Sequence, residues 1–119
     1  LSRLTKNMIA LKELEMMKPE ANLINLSRGG IINEGDLYKV MKNGHLSGAA
    51  IDVFEKEPYN GPLKEINRCI LTAHMGSMSY DCRALMEIQA TEDVVRFLSG
   101  KEMLYPVPND EYDVQFQAL

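Results

Sequence analysis

The chain has 119 residues, of which 45% are apolar and 25% charged, with a formal net charge of −4. That length points to one domain with a modest core, and the composition excludes an intrinsically disordered chain. The acidic balance lacks the basic run of a nucleic-acid binder, and no apolar stretch approaches the ~18 residues that suggest a membrane span.

Pro19 closes a first helical stretch over 1–18, with Ser2 as a candidate N-cap and a separate second turn from about Lys12 to Met17. Ala21 to Ser27 is a short apolar run between Pro19 and Gly29-Gly30, which predicts a buried strand on which Asn25 needs a partner for its amide. A helix follows over 33–43. Asn33 is its cap, Asp36 sits at the third helical position, and Leu37, Val40 and Met41 share one face. Gly44 is a left-handed stop. Gly48 to Phe54 predicts a second strand. A loop with Pro58, Gly61 and Pro62 leads to one helical turn over 63–67, and Cys69 to Thr72 predicts a third strand. The longest helix runs over 79–99 and ends at Gly100. Beyond it, Pro106 and Pro108 predict an extended or poorly ordered tail. Strands alternating with helices imply parallel pairing.

Four residues in or just past the strands can carry chemistry. Arg28 lies just past the first strand, before two glycines, where parallel sheets bind ligands; it is either a bidentate partner for a carboxylate or a surface arginine in a turn. Asp52 interrupts an apolar strand. Such a buried charge must be paired, so it either accepts from a ligand amide or caps a neighbouring turn. Glu57 and His74 both lie at strand exits and can meet if their strands are neighbours. A carboxylate within reach favours the imidazolium, and histidine is the usual acid/base near neutral pH. His45, beside Gly44, is read as solvated, and Glu55 as a surface carboxylate. Cys69 and Cys82 lack metal-ligand spacing and are read as reduced thiols of a cytoplasmic protein.

In order and spacing, NLSRGGIINE (25–34), GAAIDVFEKEP (48–58) and LTAHMGS (71–77) resemble the D-isomer-specific 2-hydroxyacid dehydrogenase family. The opening LSRLTKNMI and the link LEMMKPEAN match as well, so the resemblance covers residues 1 to 100. The stretches GAAIDVFEKEPYNGPL and HMGS look most like phosphoglycerate dehydrogenase-type members. The resemblance implies the second half of a doubly wound, Rossmann-type parallel α/β sheet, with about three strands and flanking helices. Residues 1–100 would form a partial NAD-binding domain and 101–119 a tail. The implied activity is hydride transfer between NAD and a 2-hydroxy or 2-keto acid, with 3-phosphoglycerate as the candidate substrate and NADP as the alternative cofactor. Carried over by motif, Arg28 would hold the substrate carboxylate. His74 would be the acid/base and Glu57 its partner. Asp52 would accept from the nicotinamide amide, and Ser27 and Gly76 would lie along the cofactor.

Two departures stand out. Ala73 replaces the family's usual proline before the histidine. None of the eight glycines forms the G-x-G-x-x-G turn that holds a pyrophosphate, so the chain is expected to be a piece of a longer protein. Alone, it is expected to be inactive, at least dimeric and a weak NAD binder, with a small-molecule substrate and neither nucleic acid nor membrane as partner. The rival readings are a nucleotide-sensing regulator without turnover and an assembly module.

Overall fold

The computed structural model describes residues 1–109. Two compact units make up the chain, the first over Leu1–Met75 and the second beginning at Gly76. The first unit therefore ends ahead of the boundary near residue 100 drawn from the sequence.

In the first unit, β1 (Asn22–Asn25), β2 (Gly48–Ile51) and β3 (Cys69–Leu71) form one parallel sheet in that order. Helix α1 spans Leu11–Met16, α2 spans Glu34–Lys42, and a 3-10 turn covers Pro62–Glu65. The α/β reading and the three strands agree with the sequence. Each strand is shorter than expected, because the chain turns towards the site as soon as the ladder is made. Single ladder bonds continue past the ends: the N–H of Asp52 donates to the Asn25 carbonyl (3.0 Å), and that of Thr72 to the Ile51 carbonyl (3.0 Å). Asp52 thus lies just beyond its strand rather than in its middle.

Strand side chains alternate between faces. Leu23, Ala49 and Ile51 point into a core with Leu14, Leu37, Val40, Met41, Leu46 and Leu63. Each large aliphatic side chain buried there contributes roughly 1.5–3 kcal/mol by leaving water. The opposite face carries the in-register row Ile24, Ala50 and Ile70, with Ile24 and Ile70 exposed. Burial on one face only departs from the fully buried strands expected of short apolar runs.

Helix α2 forms as its sequence dictates. Asn33 Oδ1 accepts from the Asp36 N–H at 2.9 Å, Leu37, Val40 and Met41 are buried, and Gly44 takes φ +76°. The amino-terminal stretch is different. Only Leu11–Met16 is helical, and Ser2 closes a turn with Thr5 instead of capping a helix. The physical reason is a competing set of partners. The Asn7 N–H donates to Gly30 (2.7 Å), the Ile9 N–H to Ile31 (3.1 Å), and the Asn33 N–H to Ile9 (2.9 Å), so Ile9 and Ile32 pair as a bridge.

Arg68 ties the layers together. Its guanidinium donates to the carbonyls of Met41 (2.9 Å) and Leu46 (2.8 Å), which fixes the entry of β3 against the α2–β2 turn.

In the second unit, α3 runs over Tyr80–Leu98, and its cap Ser79 accepts from the Cys82 N–H at 3.2 Å. The segment after it has no regular secondary structure over residues 101–108 and is tied back to the helix. The N–H groups of Leu104 and Tyr105 donate to the Asp93 carboxylate (2.7 and 2.9 Å), and Arg96 Nε donates to the Glu102 carbonyl (2.7 Å). The rest of the tail expected from the sequence, residues 110–119, lies outside the described residues.

Candidate active site

Because the three strands are parallel, their carboxyl ends lie side by side, and each opens into a loop bearing a candidate residue. After β1, Asn25 is buried and organises the turn. Its Oδ1 accepts from the Ser27 N–H (3.1 Å) and hydroxyl (2.7 Å), and its Nδ2 donates to the Arg28 carbonyl (3.3 Å). The amide partner that the sequence required is thus the turn itself. Arg28 is exposed, with Nη1 donating to the Ser27 carbonyl at 2.7 Å. Gly29 packs where no side chain fits, since a Cβ there would overlap the Phe54 carbonyl. The first loop is thereby set directly against the second.

After β2, Asp52 is 2% exposed. Its Oδ1 accepts from the Thr72 hydroxyl (2.5 Å) and the Met75 N–H (2.7 Å), while its backbone carbonyl accepts from the His74 N–H (2.8 Å). Asp52 therefore grips the loop after β3 at three points. That grip matters because His74 has φ +53°, a left-handed conformation costing a non-glycine residue about 1–2 kcal/mol.

Glu57 and His74 come together. Glu57 Oε2 lies 3.0 Å from His74 Nδ1, and Glu57 Oε1 accepts from the Phe54 N–H at 3.0 Å. The Phe54 N–H bond, followed by the one to His74, lowers the Glu57 pKa from its usual value. The carboxylate thus stays charged and is oriented from both sides. Phe54 stacks on Tyr59, ring centroids 4.2 Å apart, closing the loop between them. A hollow of about 320 Å³ lies beside the pair, lined by Phe54, Glu57, Pro58, Thr72, Ala73 and His74. It is small, mostly apolar and edged by an acid/base pair, within the size range of small-molecule sites.

Gly76 lies in the turn ahead of α3, in the second unit. His45 is half-buried rather than solvated, its Nε2 3.0 Å from the Met17 carbonyl. Two further residues carry no sequence signal of their own. Thr72 holds Asp52. Glu34 accepts from the Glu55 N–H at 2.6 Å, which makes the neighbourhood of Glu55 more than plain surface.

An open parallel α/β sheet with a paired carboxylate and imidazole at its strand ends places those groups where domains of this class bind ligands. Residues 1–76 match the family model described as D-isomer specific 2-hydroxyacid dehydrogenase, NAD binding domain. The chain belongs to that family. It is 39% identical over 102 residues to a glyoxylate reductase of Thermococcus litoralis, covering 85% of this chain and 31% of that protein. The holo form of Rhodotorula graminis D-mandelate dehydrogenase superposes with a TM-score of 0.82 at 31% identity, over 92% of this chain and 32% of that one. A D-isomer specific 2-hydroxyacid dehydrogenase from Xanthobacter autotrophicus, in complex with NADPH and MES, gives 0.81 at 26% identity, over 93% and 46%. The chain spans about a third of the length of the curated relatives it matches. None of these relatives is named a phosphoglycerate dehydrogenase, and the finer likeness gains no support from them.

Proposed function

We propose that the whole protein is an NAD(P)-dependent 2-hydroxyacid dehydrogenase acting on a small 2-keto acid of the glyoxylate type, and that this chain supplies its acid/base machinery. The observation that carries the reading is the 3.0 Å contact between His74 Nδ1 and Glu57 Oε2 at adjacent strand exits. Phe54, Pro58 and Ala73 of the apolar hollow would hold the nicotinamide, which would supply the hydride that reduces the substrate carbonyl carbon. Every other contribution comes from side chains. Arg28 holds the substrate carboxylate through its planar fork of donors. Glu57 holds Nδ1, so His74 presents Nε2 to the carbonyl oxygen and delivers the proton there; oxidation returns it to Nε2. Asp52 and Ser27 face the cofactor in this reading.

The donor set fits the nicotinamide end of such a cofactor. The hollow has a mostly apolar lining, which suits a flat ring, with Glu57, Thr72 and His74 as its polar residues. Among the described residues none is assigned to the ribose, so the reading covers NAD and NADP alike. The active species is proposed to be a homodimer.

The test is reduction of glyoxylate and larger 2-keto acids by the whole protein with NADH or NADPH. His74→Asn is expected to lower kcat by about 10²–10⁴, the usual contribution of a positioned acid. Arg28→Lys is expected to cost more than about tenfold in kcat/KM, because the bidentate geometry is lost. Nucleotide binding without turnover of any keto acid would replace this reading with that of a sensing module.

A further inference from the structure

The loop after β2 is held by two carboxylates acting on consecutive N–H groups. Glu57 Oε1 takes the Phe54 N–H (3.0 Å), and Glu34 Oε1 takes the Glu55 N–H (2.6 Å). The first bond is internal to the loop, while the second reaches across to another element. Glu34 is the first residue of α2, whose cap is satisfied by Asn33 and whose inner face is buried through Leu37, Val40 and Met41. It therefore projects from a fixed support, and the amino end of a helix favours its charge. Half-buried, Glu34 stands beside Glu55 in a polar hollow of about 420 Å³. Burial pushes its carboxyl pKa up, and the Glu55 N–H offsets part of that. A carboxylate placed there at such a cost in solvation needs that donor.

The turn that Glu34 holds also packs against the first loop. Gly29 abuts Phe54 and Glu55 so closely that any Cβ would meet their backbone, and Glu34 follows Gly29 by five residues. The loops that carry Arg28 and Glu57 thus meet at Gly29, Phe54 and Glu55. We propose that Glu34 is a positioning residue: by clamping the Glu55 N–H to the start of α2, it fixes the Phe54–Glu57 turn that presents Glu57 to His74, and holds that turn in register with the Arg28 loop. The inference rests on the dehydrogenase reading only for its kinetic consequence. The clamp itself is a property of the chain.

The test compares Glu34→Ala, Glu34→Gln, Glu57→Ala and the double variant Glu34→Ala/Glu57→Ala in the whole protein. Amide exchange and the side-chain ¹⁵N signal of His74 Nδ1 are read by NMR, and glyoxylate reduction is read kinetically. Glu34→Ala is expected to speed exchange at both Glu55 and Phe54 about tenfold while core amides of β1 and β2 hold their rates. It should also move the Nδ1 signal towards that of Glu57→Ala and lower kcat about tenfold with little change in KM. Glu34→Gln keeps an acceptor oxygen and should recover most of each effect. In the Glu57→Ala background, Glu34→Ala should lower kcat no further.

Equal acceleration at all amides would mark Glu34 as merely structural and overturn the proposal. So would an unmoved Phe54 amide and Nδ1 signal, or a Glu34→Gln variant as impaired as Glu34→Ala. If Glu34→Ala does not fold, Glu34→Asp, which shortens the reach by one methylene, carries the same comparison. If the unmodified protein reduces no keto acid, the dehydrogenase reading fails alone, and the exchange and ¹⁵N measurements still decide the clamp.

Discussion

Asp52 is a carboxylate withdrawn from water, and the interactions around it explain why it is tolerated. Its Oδ1 serves the Thr72 hydroxyl and the Met75 N–H, and its carbonyl serves His74. Truncation would leave the Met75 donor without that acceptor, which is costlier than the bond's net worth. Asp52→Ala is therefore expected to lower unfolding free energy by about 2–3 kcal/mol in urea titration, and Asp52→Asn by less, since an amide oxygen can still accept. Glu57 makes a pH prediction. Its pKa is lowered in the folded chain, first by the Phe54 N–H and then by His74. The stabilisation this gives is present above the unfolded-state carboxyl pKa and is lost as pH falls through the lowered folded value. A ¹³C titration of the Glu57 carboxyl should show a midpoint below that of an ordinary glutamate. Glu57→Gln should flatten the acid limb of the stability curve. A midpoint at or above the ordinary value would mean that neither bond is held in solution.

Elements were legible where a local chemical rule decides them. Asn33 and Gly44 bracket α2 as cap and stop, and Pro19 and Gly29 bracket β1, so these boundaries lay close to the sequence reading. Asp52 stood out because a charged group inside an apolar run is unusual, and Glu57 and His74 because they follow such runs. What the sequence hid was set by partners far along the chain. The bridge between Ile9 and Ile32 removes the first half of the expected amino-terminal helix, and no periodicity within 1–18 reports on Ile32. The reach of Glu34 to Glu55 spans 21 residues and that of Arg68 to Met41 spans 27, with no spacing rule behind either. Arg68 makes the clearest test at this scale. Arg68→Ala removes the charged donors from the Met41 and Leu46 carbonyls, and hydrogen bonds from charged groups contribute ~1.5–3 kcal/mol each. The expected loss is about 2–4 kcal/mol in chemical denaturation, with Arg68→Lys recovering only part, because one ammonium cannot span two carbonyls in fork geometry. An Arg68→Ala chain as stable as the parent would show both bonds exchanging freely with water.

At the scale of the whole molecule, the distribution of apolar side chains sets the behaviour of this 119-residue chain in solution. The first unit buries one face of its sheet and leaves Ile24, Leu26 and Ile70 exposed on the other, with Gly48 and Ala50 between them on the central strand. Large side chains flanking small ones make a shallow trough, and its residues enclose a hollow of about 500 Å³ with Asn22 and Arg68 at the margin. The outer edges of β1 and β3 have no neighbouring strand among the described residues. Exposed apolar area beside open strand edges favours association. Sedimentation of the 119-residue chain is therefore expected to show species heavier than the monomer, growing with concentration. Ile24→Lys combined with Ile70→Lys places two like charges in the trough and should return the chain to a monomer. The inner face and its core are untouched by these changes, so the circular dichroism spectrum and the denaturation midpoint should stay near those of the parent. Monomer at every concentration in the unmodified chain would show that this face does not drive association. Persistence of the heavier species in the double variant would shift the contact to the exposed side chains of the second unit, among them Leu85, Ile88 and Phe97 on α3.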